Sequence, residues 1–420
     1  YVNLGNDGDP GGLLPPGEDQ PCTSGTLPYD RLRQHTMAIE LLLDQNNLYR
    51  TEGFNNFEAL LLSIVLSPAM LVYLDNFLNV KGKPQENLAR EMMELFSLGV
   101  GNYSELDIFE IAKCITGESF PNFLCETNYD TSSGFIPDNH KTGNKEVFGQ
   151  TVTEDMTGQE TVDVINLIVN KNQGLDPPYD QLPVVAVYMS WKILTWFVDH
   201  EIQLSPPDPV VLELAEYMID DDAGTYPARR YPYDLKATFG KLFRSAYFYD
   251  SSNRFNMYKT PPDFVVGAMR SLDAVQFASV GDFGFQRACV DMGMTLFEPP
   301  DVAGWLHGRN WMSSSALIAR YNFANEVGQV MLQVPASLYN KNVDWLDALP
   351  VAYDDHTGMI SLIGDMLFHA ALTTEETTTL TTFLDELPVS DISGNTVAQK
   401  RRKIGSLVQV MLTMPAYQLK

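Results

Sequence analysis

Basic residues are scarce in this 420-residue chain: 28 lysines and arginines stand against 54 aspartates and glutamates, a formal charge of -26. A surface this acidic repels phosphate backbones and anionic headgroups, so neither nucleic acid nor an anionic membrane is expected as a partner. It suits a solvated protein in salty surroundings. Cysteine is also thin, with only Cys22, Cys114, Cys125 and Cys289, and none falls in the CxxC or Cys/His spacing of a zinc site. Long apolar runs are missing. The longest uncharged stretch, Ala59 to Leu74, spans 16 residues and contains Pro68, whereas a membrane helix needs about 20 apolar residues. It is read as a buried helix and its exit turn, not as a transmembrane span. There is no GxSxG elbow, P-loop, HExxH or GxGxxG motif, so no cofactor or catalytic metal is expected.

What is present describes a folded protein. Apolar residues make up 45% of the chain, which excludes wholesale disorder, and the length exceeds what one core ordinarily supports, so two lobes are expected. The chain opens at Tyr1 without an initiator Met, a basic n-region or an apolar h-region. A removed leader and an incomplete chain are both compatible with that start. Residues 1–28 alternate Gly and Pro and read as a tail or linker.

From Tyr29 the pattern is helical. Phe54 to Leu66 forms an apolar helix stopped at Ser67-Pro68, and Gln85 to Leu98 is amphipathic, with Leu88, Met92, Leu95 and Phe96 on one stripe and Glu86, Arg90, Glu91 and Glu94 off it. Ser104 followed by Asp107 predicts a capped helix through Thr116. Residues 117–160 lack periodicity and read as a long loop in which Thr151-Val152 is too short to build a sheet. Helical patterning resumes near 161 and continues to 412. The fold class is therefore mainly α, an irregular two-lobed helical bundle with long loops. Residues 29–335 form the expected main domain and 336–420 a C-terminal lobe.

Several segments, in order, resemble one known family. Ser67-Pro68-Ala69-Met70-Leu71 leads to Tyr73-Leu74-Asp75-Asn76, then Gln85-Glu86-Asn87-Leu88-Ala89-Arg90-Glu91 and Glu94 to Glu105. Ile115-Thr116-Gly117 precedes His140, Gly143, Lys145 and Gly149. The densest match is Leu296 to Trp305, continued by Gly308, Trp311, Ser314 and Ala319-Arg320-Tyr321-Asn322-Phe323. The chain is similar over roughly residues 30 to 420 to DUF1800, a large family of exported bacterial proteins without an agreed activity. The resemblance implies a helical fold and a secreted or cell-surface location. This chain departs from the family where Glu118 replaces the usual Trp and His140-Lys141 replaces His-Asp, and a His-containing segment commonly found upstream is not in the sequence.

Five groups of residues are candidates for function. Glu86, Arg90, Glu91 and Glu94, joined by Glu105, Asp107, His140 and Lys145, can form either a hydrolytic site or an ion-pair network that docks the loop on the helix. In the catalytic version Glu86 or Glu91 is the base and His140 the acid or ligand. Both versions require the Arg90 helix and the His140 loop to meet in space, and in either one Arg90→Ala is expected to destabilise the fold because it orphans carboxylates. Glu298, Asp301, Trp305 and Trp311 can bind a sugar by stacking and hydrogen bonding, or can anchor a buried junction. Cys114 and Cys125 flank a short segment that a disulfide can close, and Asn102-Tyr103-Ser104 fits a glycosylation acceptor. Asn128, Asp130 and Ser132 alternate like calcium ligands but lack the Gly and closing Glu that such loops use. Two functions follow: an extracellular assembly subunit or binder of protein or glycan, and alternatively a hydrolase of extracellular polymeric or esterified substrates.

Overall fold

Several helix starts fall where a side chain caps them. The computed structural model describes residues 31–119, 134–172, 174–220, 232–272, 284–296, 298–305, 307–333, 350–388 and 396–420. Helices α1 (Arg31–Glu52), α2 (Phe57–Val65) and α3 (Pro68–Tyr73) open it. The stop at Ser67-Pro68 holds, because Ser67 caps α3 and Pro68 takes its first turn. The start does not lie at Phe54. Asn56 accepts the Ala59 amide at 3.0 Å and so fixes the first turn of α2, leaving Phe54 outside the helix and 60% exposed.

Helix α4 (Asn87–Glu94) buries Leu88, Ala89, Met92 and Met93. It ends before Leu95 and Phe96, which are half-buried. Helix α5 (Glu105–Cys114) begins on a reciprocal capping box: Ser104 Oγ accepts the Asp107 amide at 3.2 Å while the Asp107 carboxylate accepts the Ser104 amide at 2.8 Å. Thr260–Asp263 and Thr373–Glu376 repeat that device further along the chain.

Between residues 117 and 160 the structure replaces the expected featureless loop with two small antiparallel ladders. Strands β1 (Glu118–Ser119) and β2 (Gly134–Phe135) form one, β3 (Lys145–Val147) and β4 (Gln150–Val152) the other. Thr151-Val152 does pair, through Lys145↔Val152 and Glu146↔Thr151. The two-residue turn between these strands places both Phe148 and Gly149 at positive φ, the conformation that suits a tight hairpin.

The chain divides into two compact units, and the division differs from the expected 335/336 boundary. The first comprises residues up to Phe197 together with Ile202–Tyr249, and the second Val198–Glu201 with Asp250–Lys420. The first unit adds α6 (Gln159–Val169), α7 (Val184–Phe197), α8 (Pro209–Ile219) and α9 (Leu235–Leu242). The second contains α10 (Pro261–Ser271), α11 (Phe285–Asp291), α12 (Ser314–Gln333), α13 (His356–Leu367), α14 (Thr374–Glu386) and α15 (Thr396–Thr413). One apolar cluster joins Phe264, Phe323 and Val327 to Ile363, Leu384, Leu407 and Met411. A boundary after 335 would cut that core in two. The Gly- and Pro-rich residues 1–28 lie outside the described residues.

Candidate functional site

The backbone of the first unit closes at Gly117. Its φ is +84°, and a Cβ there would lie 2.7 Å from the Ile136 carbonyl oxygen and 3.3 Å from the His140 amide. Only glycine allows the segment carrying His140 to lie against the end of α5 in this way. The Ile136 amide donates to the Gly117 carbonyl at 2.8 Å, which fastens the approach.

This closure buries a set of ionisable side chains. His140 and Glu160 are 0% exposed and Lys145 is 1% exposed. His140 Nδ1 donates to the Thr116 carbonyl at 2.8 Å, which turns Nε2 toward Glu160 Oε1 at 3.0 Å and Lys145 Nζ at 3.3 Å. Lys145 Nζ lies 2.7 Å from the Glu160 carboxylate and also donates to the Lys141 carbonyl at 2.6 Å. The Asp155 amide supplies Glu160 with a further donor at 2.9 Å. A protonated imidazole ring donates to Glu160, and a neutral one accepts from Lys145, so the ring has a partner in either state. Beside this set, Thr161 Oγ1 donates to Glu118 at 2.7 Å, and burial holds the Glu118 carboxyl above its ordinary value. Burial likewise raises the Cys114 thiol, reinforced by the nearby Glu160 charge.

The Arg90 group stands apart from this network. Both Arg90 Nη atoms bond Glu105, at 3.0 and 2.9 Å, and Nη2 reaches Glu86 at 3.5 Å. The hydrogen bond from Arg90 lowers the Glu105 carboxyl, while burial raises that of Glu91. Tyr103 donates to Glu94 at 2.7 Å. Glu105 begins α5, whereas Thr116, which holds His140 Nδ1, lies just beyond its end, and ten helical residues span about 15 Å. Among the described residues no hydrogen bond or ion pair links Glu86, Arg90 or Glu91 to His140. The pairing of Arg90 with acidic neighbours was legible in the sequence; of the wider group only Lys145 bonds His140 itself, while Asp107 accepts the Phe148 amide of the following hairpin at 2.8 Å.

The other predicted groups fare differently. Glu298 and Asp301 are exposed, Trp305 is half-buried, and Trp311 is 4% exposed in a short 3-10 helix over Gly308–Met312. Asp301 accepts the Ala303 amide at 2.9 Å and so shapes its own turn. Gly308, with φ +58°, packs against the His200 ring, and Arg309 pairs with Glu201 at 2.9 Å. Trp311 therefore anchors the second unit, while the remaining three do not converge through any hydrogen bond among the described residues. Cys114 is a buried free thiol, as is Cys289. The expected Cys114–Cys125 bridge is not formed, and Cys125 itself lies outside the described residues, as do Asn128, Asp130 and Ser132. Asn102 is half-buried, with its side-chain amide donating to the Leu98 carbonyl at 2.9 Å. Among the described residues no cluster of His, Cys, Asp or Glu is arranged to hold a metal ion, and no helix is long and apolar enough to cross a membrane.

Sequence reasoning named His140 and Lys145 but missed Glu160, Thr116 and Thr161. Glu160 sits in the first turn of α6, a place where acidic residues are common on solvated helices, so nothing in its local pattern marks it as buried. A family model described as "Protein of unknown function (DUF1800)" matches residues 33–419. No curated protein and no solved structure matches the chain.

Proposed function

Since the chain belongs to the DUF1800 family, we propose that it is an exported helical protein that works by binding, as an assembly subunit or a partner-binding protein of the cell surface. The observation that carries this reading is the sealing of His140, Lys145 and Glu160, whose polar atoms face one another rather than a cleft. A hydrolytic centre needs its acid and base within reach of a substrate and of water. Here the one histidine of the candidate group is inaccessible, and Glu86, expected beside it, pairs with Arg90 instead. Export is supported by the likeness to an exported bacterial family. The -26 charge of the chain favours basic partners over nucleic acid.

The reading is tested by incubating the purified protein with panels of chromogenic esters and glycosides, alongside Glu91→Gln and His140→Asn variants. No turnover above buffer is expected. Hydrolysis by the wild type that disappears in Glu91→Gln would overturn the proposal. Cross-linking on intact cells, followed by mass spectrometry, is expected to recover a reproducible extracellular partner.

A further inference from the structure

The second unit holds a charge imbalance that its other described side chains do not correct. Arg320 is 0% exposed and Lys259 is 6% exposed. The two are held together, because Arg320 Nη2 donates to the Lys259 carbonyl at 2.7 Å while Nη1 donates to Gln418 Oε1 at 3.1 Å. Arg320 Nε is buried without a hydrogen-bond partner. The Lys259 ammonium lies 3.4 Å from the centre of the Tyr417 ring and makes no hydrogen bond or ion pair to a described residue. The Arg320 guanidinium lies over Phe264, whose ring meets that of Tyr417 at 5.3 Å.

Among the described residues one carboxylate acts on this group, that of Asp263, and its Oδ2 is already occupied. It accepts from the Thr260 amide at 3.1 Å, from Thr260 Oγ1 at 2.8 Å and from Lys420 Nζ at 2.5 Å. Three cations, Lys259, Arg320 and Lys420, therefore face a single carboxylate among the described residues. Aromatic faces offset part of that charge, but a buried guanidinium donor without an acceptor and a buried ammonium without a counter-ion are costly. Burial pushes Lys259 down to about 8 and Arg320 down to about 10.

We propose that Lys259 and Arg320 form a binding site for a small monovalent anion of the halide class, held between the Lys259 ammonium and the unsatisfied Arg320 Nε–H. The near-complete burial of both side chains favours a compact ion over a polyatomic one, and the residual exposure of Lys259 gives it a path from solvent. The site concerns the second unit and does not depend on the binding role proposed above.

Thermal unfolding of the full chain at pH 7 tests it, with sodium gluconate replaced stepwise by sodium chloride at constant ionic strength. The midpoint is expected to rise by a few degrees along a saturating curve. The response should vanish in Lys259→Met and shrink at pH 9.5, where Lys259 is discharged. Equal midpoints in the two salts, or an unchanged chloride response in Lys259→Met, would refute the site. Should that variant fail to fold, chloride-35 NMR of the wild type decides the matter. Line broadening that falls between pH 7 and 9.5 supports the site, and its absence rejects it.

Discussion

Lys145 Nζ and the Glu160 carboxylate lie 2.7 Å apart, and both residues are shut off from solvent. A buried pair of this kind costs desolvation on both sides, so its two members depend on each other more than the fold gains from them together. Glu160→Gln leaves the Lys145 charge uncompensated and is expected to cost about 3–5 kcal/mol of stability, read from urea unfolding. The double variant Lys145→Met/Glu160→Gln should lose less than the two single losses combined. Simple additivity would show that the pair does not act as a unit.

Gly117→Ala introduces a Cβ into the Ile136 carbonyl and forces a left-handed residue other than glycine. The left-handed backbone alone costs about 1–2 kcal/mol, and the collision adds to it. A lowered unfolding midpoint with faster amide exchange over residues 136–140 is expected. An unchanged exchange pattern would detach Gly117 from the seating of His140.

Arg90→Ala, by contrast, is expected to leave the melting temperature nearly where it is. Sequence reasoning alone made this residue structural, but its side chain is 35% exposed and that of Glu105 is 77% exposed. Water replaces the lost partner, and exposed pairs contribute little. A large drop in melting temperature would restore Arg90 to a supporting role.

Stability should respond to pH through Lys259. Its folded value, about 8, lies below the ordinary 10.5 because burial disfavours the ammonium, with Arg320 and Lys420 adding repulsion against the pull of Asp263. Between those two values the unfolded chain binds more protons than the fold does. The penalty is therefore complete below pH 8 and fades as pH rises to 10.5. In chloride-free buffer the wild type should gain stability relative to Lys259→Met across that window. A constant difference between the two denaturation curves would contradict the assignment.

Cys114 should resist iodoacetamide in the native protein, since burial raises its thiol, and should be fully alkylated in denaturant without any reductant. Mass spectrometry distinguishes this from a disulfide. A Cys114 that requires reduction before labelling would reinstate the bridge.

Much of the architecture was readable from the chain. Ser104 and Asp107 specified a helix start through their own hydrogen-bonding groups, and Ser67-Pro68 specified a break, because these signals act on backbone atoms within a few residues. The amphipathic stripe of α4 was legible for the same reason as far as Met92. It failed at Leu95 and Phe96, where the helix had already ended.

The sequence by itself determined the helical class, the acidic charge, the family likeness and the kinds of side chain available for a site. Only the tertiary structure decided which of them meet. Glu160 is twenty residues from His140 and Lys259 sixty-one from Arg320, and no periodicity links either pair. Burial decided the rest: a carboxylate, an imidazole and an ammonium that would have signified chemistry in an open cleft become an internal ion network once water is excluded.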